Sequence, residues 1–86
     1  MQTGKIYWAV TRIQFADGGT YVTPDVLGVF DTLQQATDYM IDAIEYLCSS
    51  EDENWQYDGH RYNAHFVRGD YGRTVQFSVE RTQHYE

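Results

Sequence analysis

Residues 30–50, FDTLQQATDYMIDAIEYLCSS, carry the one long pattern in the chain that a single secondary structure explains. On a helical wheel, Leu33, Ala36, Thr37, Met40, Ala43, Ile44, Leu47 and Cys48 share one side, with Ile41 at its border. Gln34, Gln35, Asp38, Asp42, Glu45 and Ser49 share the other, and Tyr39 and Tyr46 lie on a shoulder between them. That is the 3.6-residue period of an amphipathic helix. The expected helix covers about residues 31–49. Asp31 is its expected N-cap, with Gln34 three residues on as in a capping box. An apolar stripe of this length must be buried, and the rest of the chain offers only strands to bury it.

Residues 5–15, KIYWAVTRIQF, are rich in β-branched and aromatic side chains and read as a strand. Ile6, Trp8 and Val10 share one parity, whereas Ile13 and Phe15 take the other. Either a bulge near Thr11 and Arg12 unites the two sets, or the strand is apolar on both faces and lies inside the sheet. Ala16-Asp17-Gly18-Gly19 is a hairpin turn. Residues 20–23 and 26–30 form a returning strand interrupted at Pro24-Asp25. Proline cannot donate to a ladder, so that strand belongs at an edge or carries a bulge. After the helix, residues 49–59 read as an acidic loop. Residues 60–68 and 73–81 then form a second hairpin around Gly69-Asp70-Tyr71-Gly72. There Tyr62, Ala64 and Phe66 share parity with Val75, Phe77 and Val79 as the dry face. Residues 82–86 show no structural signal. The expectation is a single α+β domain over residues 1–86, ordered ββαββ. Its four-stranded, mainly antiparallel sheet carries the helix on one face, with Met40 and Ile44 packed on Trp8, Phe66 and Phe77.

A chain of 86 residues holds one modest core, to which eight Tyr, four Phe and two Trp contribute much area. No apolar run is long enough for a transmembrane helix, and the first eight residues lack the pattern of a signal peptide. The single cysteine, Cys48, excludes an internal disulfide and fits a reducing cytoplasm.

The residues offer little to catalysis. His60, His65 and His84 have no ligand spacing, and His60 and His65 differ in strand parity, so they read as surface histidines and no metal site is expected. Cys48 lies among Ile44 and Leu47 as a small hydrophobe rather than a nucleophile. Asp38 and Asp42 are one turn apart on a wet helix face, with no apolar pocket implied to raise a pKa. Phosphate-binding loops and serine-hydrolase elbows are absent, so no cofactor and no enzymatic activity are expected. Arg61, Arg68, Arg73 and Arg81 share a hairpin with Tyr62, Phe66 and Tyr71, a pattern that can stack bases. The net charge of that region is only +1, which argues against direct nucleic-acid binding.

Charge distribution is more informative. Residues 13–60 hold ten acids and no Lys or Arg, whereas all six basic residues lie outside that block. Such a block repels nucleic acid and anionic membranes and attracts a basic partner. Its candidate partner-binding residues are Asp38, Tyr39, Asp42, Glu45 and Tyr46 on the helix. Glu51, Asp52, Glu53, Trp55, Tyr57 and Asp58 follow in the loop. Carboxylates one helical turn apart lie ~5–6 Å from one another, close to the spacing of phosphates along a strand, and aromatics beside them anchor interfaces.

In this profile the chain resembles the small acidic inhibitors encoded by phages and mobile elements, the anti-CRISPR and other nucleic-acid-mimic proteins. The likeness rests on short length, one domain, no catalytic motif and a one-signed acidic block. It implies a non-enzymatic inhibitor that occupies a basic site on a nucleic-acid-binding enzyme or nuclease complex. Two other readings fit the same residues. One is a small accessory or homo-oligomer-forming domain whose acids only confer solubility, and the other is a small-molecule-binding protein using the aromatic-rich sheet.

Overall fold

The computed structural model of the protein describes residues 4–15, 21–61 and 63–84. The elements are β1 Lys5–Phe15, β2 Tyr21–Phe30, α1 Leu33–Cys48, β3 Gln56–Arg61, β4 Ala64–Arg68 and β5 Thr74–His84. A 3-10 turn, Asp70–Gly72, precedes β5. Every pairing is antiparallel, and the open sheet runs β2-β1-β5-β4-β3. The chain is α+β with one helix, as its sequence implies, but the sheet has five strands rather than four.

The extra strand comes from the stretch read as a loop. Gln56–Arg61 pairs with Ala64–Arg68, and the connection uses Asn63 at φ 66°. Asparagine tolerates that left-handed conformation, so no glycine marks the turn. Asp58-Gly59, which resembles a turn signal, instead forms a bulge between Tyr57 and Gly59, with Gly59 at φ 109°. The strand lies at a sheet edge, where a bulge disrupts only one ladder.

Splitting the expected 60–68 strand changes which side chains face the helix. Val67 pairs with Val75 and His65 with Phe77, and Val67, Val75 and Phe77 are all in the core. Phe66 pairs with Gln76 on the opposite face, where its ring lies 4.4 Å from the Arg61 guanidinium. The expected packing of Met40 and Ile44 on Phe66 is therefore corrected, because the new turn sets the parity of β4. Tyr62 and the expected turn at 16–19 lie outside the described residues.

β1 settles the choice between a bulge and an interior position. It pairs with β5 over its whole length, from Lys5 with His84 to Phe15 with Thr74, without a shift. The irregularities opposite Val10/Thr11 and Gln14/Phe15 fall where β2 holds an extra residue, Leu27 and Val22. β1 is thus straight, apolar on both faces and flanked by β2 and β5. β2 takes the edge, as Pro24 requires. The β1 ladder also draws β5 out to His84, beyond the expected end at Arg81; Tyr85 and Glu86 lie outside the described residues.

The helix begins one residue later than expected. Thr32, extended at φ −127° and ψ 152°, is the N-cap and its hydroxyl accepts from the Gln35 N–H at 3.1 Å. Thr32 with Gln35 is the better match to the capping-box pattern. Asp31 is left to pair with Lys5. Ala36, Met40 and Ile44 from α1 meet Val10, Val67, Val75 and Phe77 from the sheet, and Trp8 packs against this cluster. Leu33, placed on the buried side by the wheel, is 49% exposed because the first helical turn overhangs the core. Burial of Met40 and Ile44 contributes about 1.5–3 kcal/mol each.

Ile44→Asp should abolish the cooperative urea transition, since an unpaired charge in this core costs several kcal/mol. Met40→Ala should lower stability by about 2–5 kcal/mol, and Phe66→Ala, on the uncovered face, by clearly less. Equal losses for Met40→Ala and Phe66→Ala would contradict the register of β4.

Candidate functional site

The fold places five of the six basic side chains against acids. Lys5 meets Asp31 at 3.5 Å, Arg12 meets Asp25 at 2.9 Å, and Arg61 and Arg68 approach Asp58 at 3.7 and 3.3 Å. Arg73 pairs with Glu53. Such partly exposed pairs contribute about 0–1 kcal/mol each, so their importance lies in where charge is cancelled. Asp38, Asp42, Glu45, Glu51 and Asp52 are exposed and have no ion pair among the described residues. They follow the outer side of α1 and the turn after it. Asp38 accepts a hydrogen bond from the Gln34 side-chain amide at 2.8 Å.

The sequence-derived site therefore divides. Asp38, Asp42, Glu45, Glu51 and Asp52 stay together as open charge, with Tyr46 (84% exposed) among them. Tyr39 leans on Phe30, ring centroids 5.1 Å apart, and is less exposed. Glu53 is turned inward: its carboxylate accepts from the Asp70 N–H at 3.1 Å and binds Arg73. The Asn54 N–H donates to Asp70 at 3.3 Å, which fastens the loop to the turn before β5. Trp55 packs against the core, beside Gly69, where a Cβ would come within 2.6 Å of the indole. Asp58 serves Arg61 and Arg68. Tyr57 is half exposed but its hydroxyl is bonded to His65 Nδ1 at 2.8 Å.

The remaining acids sit where the backbone opposes them. The helix has no acid in its first turn and no base in its last. Glu45, Glu51 and Asp52 gather around its C-terminal end, where the partial charge is already negative. Like-signed charge there costs about 0.3–1 kcal/mol per group at an exposed site. Ser49 relieves the carbonyls by donating its hydroxyl to the Glu45 carbonyl at 2.8 Å. Local rules broken without a compensating contact mark positions that packing did not choose.

His60 and His65 are brought together, contrary to their spacing in one strand. The turn at Asn63 pairs them across the hairpin, and their rings stack with centroids 4.4 Å apart. Stacked rings hold their nitrogens in parallel planes, so the pair does not converge on one ion. Among the described residues no three His, Cys, Asp or Glu side chains gather as metal ligands. Cys48 is half-buried and packs against the core. Among the described residues no helix is long and apolar enough to cross a membrane.

A cavity of about 480 Å³ lies between the C-terminal half of α1 and the sheet. Leu27, Val75 and Phe77 line it from the sheet, Ala43 and Leu47 from the helix, and Trp55 closes one side. Arg12 and Gln14 also reach it, because the parity of β1 turns Trp8, Val10, Arg12 and Gln14 toward the helix. The Arg12 Nε–H is buried and has no acceptor among the described residues, at a cost of about 1–3 kcal/mol if left unmet. Sequence reasoning missed this feature, because Arg12 joins the cavity only through the parity of β1 beneath the helix. Comparison with protein-family models, curated proteins and solved structures returns no match for the chain.

Burial lowers the pKa of His65 below its ordinary 6.5, and neighbouring His60 lowers it further. The unfolded chain then binds a proton more readily than the folded one. Stability associated with His65 is full above pH 6.5 and is lost as pH falls below it. Urea midpoints measured from pH 7.5 to 5 should fall less for His65→Gln than for the parent. Identical profiles would remove His65 as a source of the pH dependence.

Proposed function

We propose that the protein is a non-enzymatic inhibitor that occupies a basic, nucleic-acid-binding site on an enzyme, a nuclease complex of the CRISPR kind being the favoured target. One observation carries this reading. The basic residues cancel acids elsewhere and leave Asp38, Asp42, Glu45, Glu51 and Asp52 as one uninterrupted exposed run. Asp38, Asp42 and Glu45 advance ~4.5–6 Å along the axis at each step, from the rise of 1.5 Å per residue. That is a ladder of negative charge at about the pitch of a phosphate backbone. The placement of Glu45, Glu51 and Asp52 at the negative end of the helix supports selection for binding rather than for stability. Tyr46, fully in reach of a partner, is the aromatic anchor beside the charges.

A second reading is supported by the uncovered face of the sheet. Val26 and Val29 are 65% and 55% exposed there, next to Thr11 and Ala9. Two copies placed back to back cover these valines while their acidic helices point away from each other. Light scattering across a concentration series separates a dimer from a monomer, and a dimer is compatible with either role.

The test is inhibition of DNA cleavage by a panel of purified nuclease complexes. Inhibition should weaken with salt, since exposed charges are screened beyond ~8–10 Å at physiological ionic strength. Asp38→Asn/Asp42→Asn/Glu45→Gln should slow association with an inhibited target, and Tyr46→Ala should speed dissociation by about tenfold or more. DNA should compete with the protein for the target. A triple variant that inhibits as well as the parent refutes the acidic-face mechanism.

A further inference from the structure

We infer that the cavity beneath α1 binds an uncharged, planar aromatic molecule whose carbonyl oxygen accepts from the Arg12 guanidinium. This site borders the acidic run and shares Asp42 and Tyr46 with it, but its recognition rests on Arg12 and the apolar walls rather than on the acids. At about 480 Å³ the cavity falls within the range of small-molecule sites, which are mostly apolar with a few placed polar groups. Its walls match that description. Leu27, Val75, Phe77 and Leu47 supply aliphatic and aromatic surface, and Trp55 and Tyr46 supply ring faces at the sides.

The polar groups define the rest of the ligand. Arg12 stands on the helix side of the sheet, one pair-step beyond Val10, which is fully buried. Its Nη2 is taken by Asp25 at 2.9 Å, whereas its Nε–H is buried and without an acceptor among the described residues. A turn of the guanidinium, whose side chain is 35% exposed, opens that donor to the cavity, and a ligand acceptor there satisfies a group otherwise left unmet. The charge of the ligand follows from the neighbours. Asp25 already neutralises Arg12, and Asp42 lines the opening. A carboxylate entering there gives up its hydration and meets no net positive charge. A neutral carbonyl makes the same hydrogen bond at a smaller desolvation cost. The recognised class is therefore an aromatic amide, lactam or ketone of about two fused rings, rather than an aromatic acid.

The experiment titrates the whole protein with 2-naphthamide, 2-naphthoate and naphthalene, which share one ring body and differ at the acceptor. Nitrogen-15 NMR follows the Arg12 Nε–H and the Trp55 indole N–H. The expected result is saturable binding of 2-naphthamide that moves both signals, with about tenfold weaker binding of naphthalene, the usual worth of one hydrogen bond to a charged donor. Arg12→Met should erase the advantage of the amide over naphthalene. Tyr46→Ala, on an 84% exposed side chain that does not hold the fold, should weaken all three ligands together. If Arg12→Met fails to fold, the Arg12 Nε–H shift in the parent still decides. Absence of saturable shifts with any of the three, equal affinity for amide and naphthalene, or tightest binding of the acid each overturns the proposal.

Discussion

The unbroken pairing of β1 with β5 is the interaction on which the rest depends. It joins the two ends of the chain over eleven residue pairs, Lys5 with His84 through Phe15 with Thr74. Without it the sheet parts into a β1–β2 hairpin, which is marginal alone, and a β3–β4–β5 meander, neither of which offers the full surface that α1 covers. With it, β2 is fixed at one edge and β3 at the other, and the sheet becomes wide enough to carry α1. The closure spans nearly the whole chain, so its entropy must be recovered by contacts that form late and together. Val10, Val75 and Phe77 on these two strands are buried, and Met40 and Ile44 pack against the cluster they form.

That same ladder positions the polar residues at the margin of the core. β1 runs straight through the bulges of β2, so its parity never changes, and Arg12 and Gln14 follow Val10 toward the helix. A strand that began to alternate correctly thus ends by pointing a guanidinium under α1. Leu27, one of the extra residues on β2, packs against the core and lines the cavity. On the far side, Gly69 lets Trp55 approach and Glu53 ties the loop to Arg73 and the Asp70 N–H. The helix, the loop and three strands, β1, β2 and β5, meet around this cavity.

Charge follows a division that the linear sequence only half reveals. The acidic block and the basic flanks are visible in one dimension. Which acids the flanks neutralise depends on the hairpins that fold them together. Asp58 looked like part of the outward acidic loop, but the β3–β4 pairing brings Arg68 to it, and Arg61 lies one turn of chain away. Glu53 looked equivalent to Glu51 and Asp52, yet only Glu53 reaches Arg73. The helix acids escape because α1 turns their side to solvent and no basic residue lies in its last turn.

By itself the sequence determined the helix, the Ala36, Met40 and Ile44 centre of its buried stripe, the restriction of the proline-containing strand to an edge or a bulge, and the class of the fold. These follow from short-range periodicity and from the missing N–H of Pro24, which act wherever the chain goes. Tertiary structure decided the fifth strand, the face on which Phe66 lies, the stacking of His60 on His65 and the fate of Glu53, Trp55 and Asp58. Each of these depends on strand register, and register here was set by a turn at Asn63, which no glycine marks, and by bulges at Asp58 and Leu27, where the neighbouring Gly59 and Gly28 do not by themselves tell a bulge from a turn. One residue of slip in a strand exchanges its two faces, so small local choices of this kind redistribute every side chain beyond them. The helix stripe is protected from that ambiguity because its period is internal. The sheet's polar residues are not, and the cavity at Arg12 is the clearest consequence.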